Sequence, residues 1–417
     1  MERLKKRLSR LLRWSGRYTK TDMQYVVKSG AWLSIGQAGA ILLALTMSIA
    51  FANLVPKDLY GNYKFILSAV GVLGTLALSG LGSVVTQATA SGDGTVFHHA
   101  VKTYIRWGML VCVLSLLVGL YYAINDNSTL SLSFVIAGVT FPLLNGYALY
   151  ASYLNGKKDF RRSALYWLSI QAVLDATLIT AMYLGADILG LVTIYFIVQT
   201  MLTYWFYRRT IHWYPPEGTE HTGDMIAYAK HLSLMGFITG VANHLDKILV
   251  FHFAGATALA TYSFAFAIPE QIKGSYKNLF AIALPKYSEK SASEIKASIQ
   301  DKIIRLTLIT ILIVATYILI SPYIFTLLFP QYLDSVFYSQ IYILGLITIP
   351  GISLTGMYFQ IKKDTRLQYK LNICNSIFTI IIGVFLVSQF GILGAIIENT
   401  VSWTGMLLLN LYYFYKN

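Results

Sequence analysis

YLNGKKDFRR (residues 153–162) and YFQIKKDTRL (residues 358–367) are two copies of one phrase. Tyr153, Lys157, Lys158, Asp159 and Arg161 fall on Tyr358, Lys362, Lys363, Asp364 and Arg366, each 205 positions later. The surrounding chain is apolar: 56% of its 417 residues are hydrophobic and only 12% are charged. Charge gathered into one short phrase, then repeated, points to a duplicated unit in an apolar solvent.

Other matches keep the same order. Ile188-Leu189-Gly190 falls on Ile392-Leu393-Gly394, Phe206-Tyr207 on Phe414-Tyr415, and Tyr63 and Phe65 on Tyr262 and Phe264. Their offsets drift from 199 to 208, as small loop insertions would produce. Runs such as AILLALTMSIAF (40–51) and LTLITILIVATYILI (306–320) are too apolar for a soluble domain, and the mean hydropathy is +0.57. In hydrocarbon the backbone finds no water to bond, so each long apolar run is expected to be a helix. The reading is an all-α integral membrane protein.

Polar breaks divide the chain into twelve spans, near 30–53, 63–87, 105–124, 130–154, 163–184, 187–207, 228–251, 257–283, 303–328, 333–360, 369–388 and 391–414. NDNS (125–128) and QFG (389–391) read as tight hairpins, and Pro142 leaves open whether 130–154 is one helix. Cytoplasmic loops are enriched in Lys and Arg. With these spans, all cations but Lys57, Lys64, Lys247, Lys273 and Lys277 fall on one side, including the repeated phrase, so both termini are expected in the cytoplasm. The net charge of +14 is then a topology signal that needs no nucleic acid.

Six spans per half is an even number, so both halves insert the same way. The expected architecture is two parallel six-helix bundles around a central cavity, an arrangement found in secondary transporters. The divisions are a basic N-terminal arm (1–29), a first bundle (30–210), a cytoplasmic linker (211–226) and a second bundle (227–417). The arm, with Leu4, Leu8, Leu11 and Leu12 at helical spacing among cations, is either a helix lying on an anionic membrane or a disordered tail. The linker HWYPPEGTEHTGD (212–224) is either a pivot between halves or a passive connection. Cys112 and Cys374 are isolated, so no disulfide or metal site is indicated.

Ionisable groups within spans cost roughly 2.5 kcal/mol or more each on insertion scales, so they usually face a cavity or a partner. They are Lys64, Asp175, Asp246, Lys247, Glu270, Lys273, Lys277 and Glu398. Glu270, Lys273 and Lys277 share one helix face by their spacing, directly after Pro269, which is expected to kink the helix. They form either a cationic stripe for a phosphate or a Glu270–Lys273 pair with Lys277 reaching the surface. Asp246 and Lys247 diverge by about a hundred degrees, so at least one should reach another helix. Asp246 and Glu270 are candidates for gating or ion coupling, Lys64 and Lys247 for a cavity or the surface. Asp175 and Glu398 stand alone in their spans, either as carriers of a coupling proton or as structural acids. His244 reads as a packed polar residue.

GNYKF (61–65) opening the second span, NHLDKILV (243–250) in the seventh and ATYSFAFAI (260–268) opening the eighth make the chain resemble the Wzx-type polysaccharide-biosynthesis flippases. That exporter superfamily also holds the lipid II flippases and the MATE drug antiporters. The resemblance covers nearly the whole chain. It implies an undecaprenyl-pyrophosphate-linked oligosaccharide turned from the inner to the outer leaflet of a bacterial or archaeal cytoplasmic membrane, for surface polysaccharide such as O-antigen. It also implies headgroup-binding cations on early spans of each half, where Lys64 and Lys273 stand in comparable places. Lipid II flippases carry an arginine on span one, whereas this chain has no cation between Lys28 and Lys57. No cofactor is expected, beyond coupling to a proton or sodium gradient. The expected partners are the lipid-linked glycan, membrane lipids, and the polymerase and glycosyltransferases of the same pathway, around a monomer.

Two other classes compete. A MATE-like exporter of small cations would want acids facing a cavity in the first half, where only Asp175 fits. A membrane glycan polymerase or ligase would need catalytic groups on a sizeable outer loop. The outer loops here are about ten residues or fewer, with no nucleophile–base or metal-ligand spacing.

Overall fold

The structure is a computed structural model that describes residues 23–218, 222–276, 292–362 and 364–416. The basic arm up to residue 22, the middle of the linker and the stretch from Lys277 to residue 291 lie outside the described residues. Among the described residues the chain is helical, with no strand. Among the described residues nine helices are long and apolar enough to cross a membrane, so this is a multi-pass membrane protein. They include Val96–Ile124, Phe160–Tyr183, Ile188–Trp213 and Ile299–Leu328.

The last of them, Thr365–Lys416, is two arms folded at Gly391, whose φ of 54° lies in the left-handed region that glycine adopts without strain. The expected QFG hairpin is there. NDNS is likewise a tight turn: Asp126 has φ 55°, and the Asn127 side chain accepts the Leu130 amide at 3.0 Å. Pro142 lies inside the helix Ser128–Ala148 without ending it; the chain breaks at Leu149 and resumes as Tyr150–Gly156. The helix before Pro269 does stop, at Ala265, and turns through 266–268 before continuing. The expected second span is two helices, Lys57–Gly74 and Leu81–Ala90.

The duplicated phrase is a helix–turn–helix joint in both places. Lys157 and Lys362 close the preceding helices, and the aspartate starts the next. Asp159 accepts the Arg162 amide at 3.1 Å, and Asp364 accepts the Leu367 amide at the same distance. Each side-chain oxygen thereby satisfies a helix N-terminal donor that has no intrahelical partner.

Helices between 23 and 213 pack mainly on one another, as do those between 222 and 416. Contacts between the two sets concentrate where Lys57–Gly74 meets Thr222–Ala254 and Ala256–Ala265. Small residues permit this approach, as at membrane helix interfaces generally. A side chain at Gly61 would run into the Ala256 backbone, and Gly71 lies against the His244 ring, which makes His244 a packing residue. The described start of the linker is docked on the first set: the Gly94 amide donates to Glu217 at 2.8 Å.

Candidate functional site

Because Gly61 presses on Ala256, the same face of its helix, one turn later, carries Lys64 toward the second set of helices. Lys64 lines a cavity of about 390 Å³ walled by both sets: Ser48, Tyr63, Gln171 and Asp175 from the first, Lys247 and Glu270 from the second. The Lys64 ammonium sits 5.3 Å from the Tyr60 ring centre, a favourable cation–π position. Among the described residues no carboxylate lies within ion-pair distance of it.

One end of this cavity is closed. Phe51 and Tyr60 line it and belong to an aromatic stack in which Phe51–Tyr60, Tyr60–Phe264 and Phe264–Tyr332 ring centres are 4.7, 5.0 and 3.8 Å apart. Beyond them Lys57 pairs with Asp334 at 2.8 Å, and Asn53 donates to the Leu328 carbonyl at 3.0 Å. The two sets of helices are thus latched together at that end.

A second chamber of about 480 Å³ adjoins the first, sharing Lys247, Phe266 and Glu270 with it. Its walls come from residues 239–403 and bring together Asp246, Lys247, Glu270, Lys273 and Glu398. Lys273 therefore lines the second chamber, with its ammonium 2.7 Å from Glu270 and 4.5 Å from the Trp403 ring centre. The Glu270–Lys273 pair, one part of the second arrangement the spacing allowed, is present. Glu270 also accepts the Tyr342 hydroxyl. Lys277 lies outside the described residues.

Two expectations need correction. Asp246 and Lys247 were expected to diverge around their helix, yet the Lys247 ammonium lies 3.5 Å from Asp246. The other Asp246 oxygen does reach the next helix, accepting the Tyr262 hydroxyl at 2.7 Å. Glu398, expected to stand alone, is tied to Asp246 through neutral groups. Asn399 donates to both Glu398 (3.1 Å) and the Tyr262 oxygen (3.2 Å), and Ser402 donates to the other Glu398 oxygen at 3.1 Å. Asp175 makes no ion pair among the described residues. It is 3% exposed, accepts Gln171 at 2.7 Å, and its second oxygen has no partner among the described residues.

Sequence reasoning missed Tyr262, Tyr342, Asn399 and Trp403, the neutral groups that organise the second chamber. Tyr262 is inside the phrase ATYSFAFAI, and Asn399 adjoins Glu398, so adjacency to the intramembrane acids was the available signal.

This is the fold of a class of membrane exporters. The chain superposes on "Lipid II flippase MurJ, inward closed conformation" with a TM-score of 0.72 at 15% identity, covering 91% of this chain and 86% of that one. An inward-facing MATE family multidrug transporter gives 0.63 at 15% identity (90% and 94% covered), and an outward-facing one 0.58 at 14% (94% of each). No curated protein matches it. Residues 26–290, more than half of the chain, match the family model described as "Polysaccharide biosynthesis protein", and the chain belongs to that family.

Proposed function

We propose that this protein is a flippase. It would move an undecaprenyl-pyrophosphate-linked oligosaccharide across the cytoplasmic membrane by alternating access, for surface polysaccharide biosynthesis. In this reading the nine long helices, the division at Gly391 and the broken segments 57–90 and 256–276 make twelve spans. They form two parallel bundles, 30–210 and 227–417, joined by the linker 211–226 and preceded by the arm 1–29, with both termini cytoplasmic.

Lys64 carries the reading. An ammonium on a cavity wall with an aromatic ring beside it and, among the described residues, no carboxylate within ion-pair distance is held ready for an incoming anion. Lys247 faces the same space, and the two amines suit the pyrophosphate as point charges with several donors each. Lys273 joins them when released from Glu270, and Lys277 is assigned to the headgroup from its spacing alone. Asp246 and Glu398, linked through Tyr262 and Asn399, and the isolated Asp175 are the groups for gating or for coupling to protons or sodium, with Glu270 shared between the chambers.

A second reading has its own support. Asp246, Glu270 and Glu398 outnumber the two lysines of the second chamber, which suits a small organic cation, the cargo of a MATE-like exporter. Proteoliposomes separate the two. The flippase reading expects a fluorescent polyprenyl-pyrophosphate oligosaccharide to change leaflets and a cationic dye to stay inside. Dye efflux with no glycolipid movement would replace it with the exporter reading.

A further inference from the structure

The first arm of Thr365–Lys416 contains LNICNSIFTIIIGVF (371–385), an apolar run interrupted by polar residues. Asn372, Asn375, Ser376 and Thr379 recur at helical spacing and share one face. Thr239, Asn243 and Asp246 repeat that pattern on the helix Thr222–Ala254. Both faces line the second chamber. The first copy of the duplicated unit lacks such a face. At the 205-residue offset of the repeated phrase, Asn372, Asn375 and Thr379 fall on Trp167, Ile170 and Leu174, and only Ser376 falls on a polar residue, Gln171. Ile170 and Leu174 are buried, so the first copy packs there without amides. The asparagines of the second copy are additions to the shared fold.

An amide in a membrane helix ordinarily bonds across to a neighbouring helix, because hydrocarbon offers it nothing. The hydroxyls of this chamber do so: Ser376 meets the Thr239 hydroxyl at 3.1 Å, and Thr379 donates to Ser402 at 2.9 Å. The side-chain amides of Asn243, Asn372 and Asn375 have no hydrogen-bond partner among the described residues, and all three line the chamber. Each offers donors and an acceptor side by side, the combination that vicinal hydroxyls or an acetamido group of a sugar satisfies. Trp403 lines the same space, and its indole gives the C–H face of a pyranose a surface to lie on.

Charge narrows the choice of sugar. Both lysines of the chamber lie within ion-pair distance of an acid, Lys247 of Asp246 at 3.5 Å and Lys273 of Glu270 at 2.7 Å. Glu398 makes no ion pair among the described residues. A sugar carboxylate would meet no spare cation there and one acid in excess. The volume of about 480 Å³ suits a small polar ligand, since such sites run from about 300 to 1,000 Å³.

We propose that the second chamber receives the sugar next to the pyrophosphate and selects an uncharged pyranose over a uronic acid, with Asn243, Asn372 and Asn375 bonding its hydroxyl or acetamido groups. The inference rests on the flippase reading: a pyrophosphate held by Lys64 and Lys247 has its first sugar at the wall the two chambers share. The test is the affinity of the full chain in nanodiscs for polyprenyl pyrophosphate that is bare, carries one N-acetylglucosamine, or carries one glucuronic acid. Wild type is expected to bind the N-acetylglucosamine probe about tenfold more tightly than the bare one, as one or two ordinary hydrogen bonds imply. The glucuronic acid probe should bind no more tightly than the bare one. In the Asn372→Ala/Asn375→Ala double variant the gain should fall below about threefold while bare-probe affinity stays within about twofold of wild type, which also reports that the variant is folded. Asn375→Ile, which installs the side chain of the first copy, makes the same comparison with a single change. Asn145→Ala, in the smaller pocket of the first set of helices, should keep the full gain. No gain in wild type, an equal gain with glucuronic acid, or a gain unchanged in both asparagine variants overturns the proposal and leaves the flippase reading standing. Failure of wild type to bind even the bare probe overturns the flippase reading and this proposal with it.

Discussion

Lys57 and Asp334 meet at 2.8 Å across the end of the cavity, joining connections 277 positions apart in the chain. The Asp334 side chain is 71% exposed, and exposed ion pairs are worth about 0–1 kcal/mol. The fully buried Tyr332 and Phe264 beneath bury far more surface, so the aromatic stack is the seal and the ion pair sets its register. A latch this cheap to open suits a gate that must part in every transport cycle. In a background without Cys112 and Cys374, Lys57→Cys and Asp334→Cys joined by a short dithiol-reactive linker should stop glycolipid movement in proteoliposomes. Cleaving the linker should restore it. Full movement with the link in place would mean that this end does not open.

Among the described glycines, Gly61 makes the tightest contact between the two sets of helices. A methyl group there meets the Ala256 backbone, which cannot rotate away as a side chain could. Gly61→Ala should therefore lower stability by about 1–3 kcal/mol, the usual cost of overpacking. Gly356, also helical but with nothing near its would-be side chain, is the control: Gly356→Ala should be neutral or gain up to about 1 kcal/mol. Thermal unfolding in detergent compares the two. Equal midpoints would show that the helices do not approach as closely as described.

Asp246 and Glu398 are coupled through Tyr262 and Asn399, so removing one charge should be felt at the other. Asp246→Asn and Glu398→Gln are each expected to abolish the dependence of transport on an imposed proton or sodium gradient. Binding of the lipid-linked cargo, measured without a gradient, should change less than about threefold, within about 0.7 kcal/mol. The double variant should lose no more than either single one, because residues acting as a unit are not additive. A gradient dependence that survives both changes would place coupling elsewhere, with Asp175 next in line.

The helix ends were largely legible because apolar runs and polar breaks report directly on burial in hydrocarbon. The span expected at 187–207 is Ile188–Trp213, and the hairpin at 389–391 is where Gly391 turns. The break after Gly74 was not legible. Its sequence, TLALSG, is as apolar as the helices beside it, and its one turn signal, Ser79-Gly80, is weak inside so apolar a run. The list of intramembrane charges was legible for a simple reason: charges are rare where they are costly. Their partners were not. Spacing along one helix suggested the Glu270–Lys273 pair but said nothing of Tyr342 or Trp403, which arrive from helices about 70 and 130 residues away. With 30 tyrosines in the chain, composition could not single out Tyr262 and Tyr342.

The central claim is that the Lys64 ammonium waits for a pyrophosphate. Its most direct test is the affinity of the purified chain in nanodiscs for sugar-free polyprenyl pyrophosphate, compared between wild type and Lys64→Ala. A charge-assisted contact is worth about 1.5–3 kcal/mol, so the variant should bind roughly ten- to a hundredfold more weakly, with Lys64→Arg in between. Equal affinity in Lys64→Ala and wild type would contradict the account.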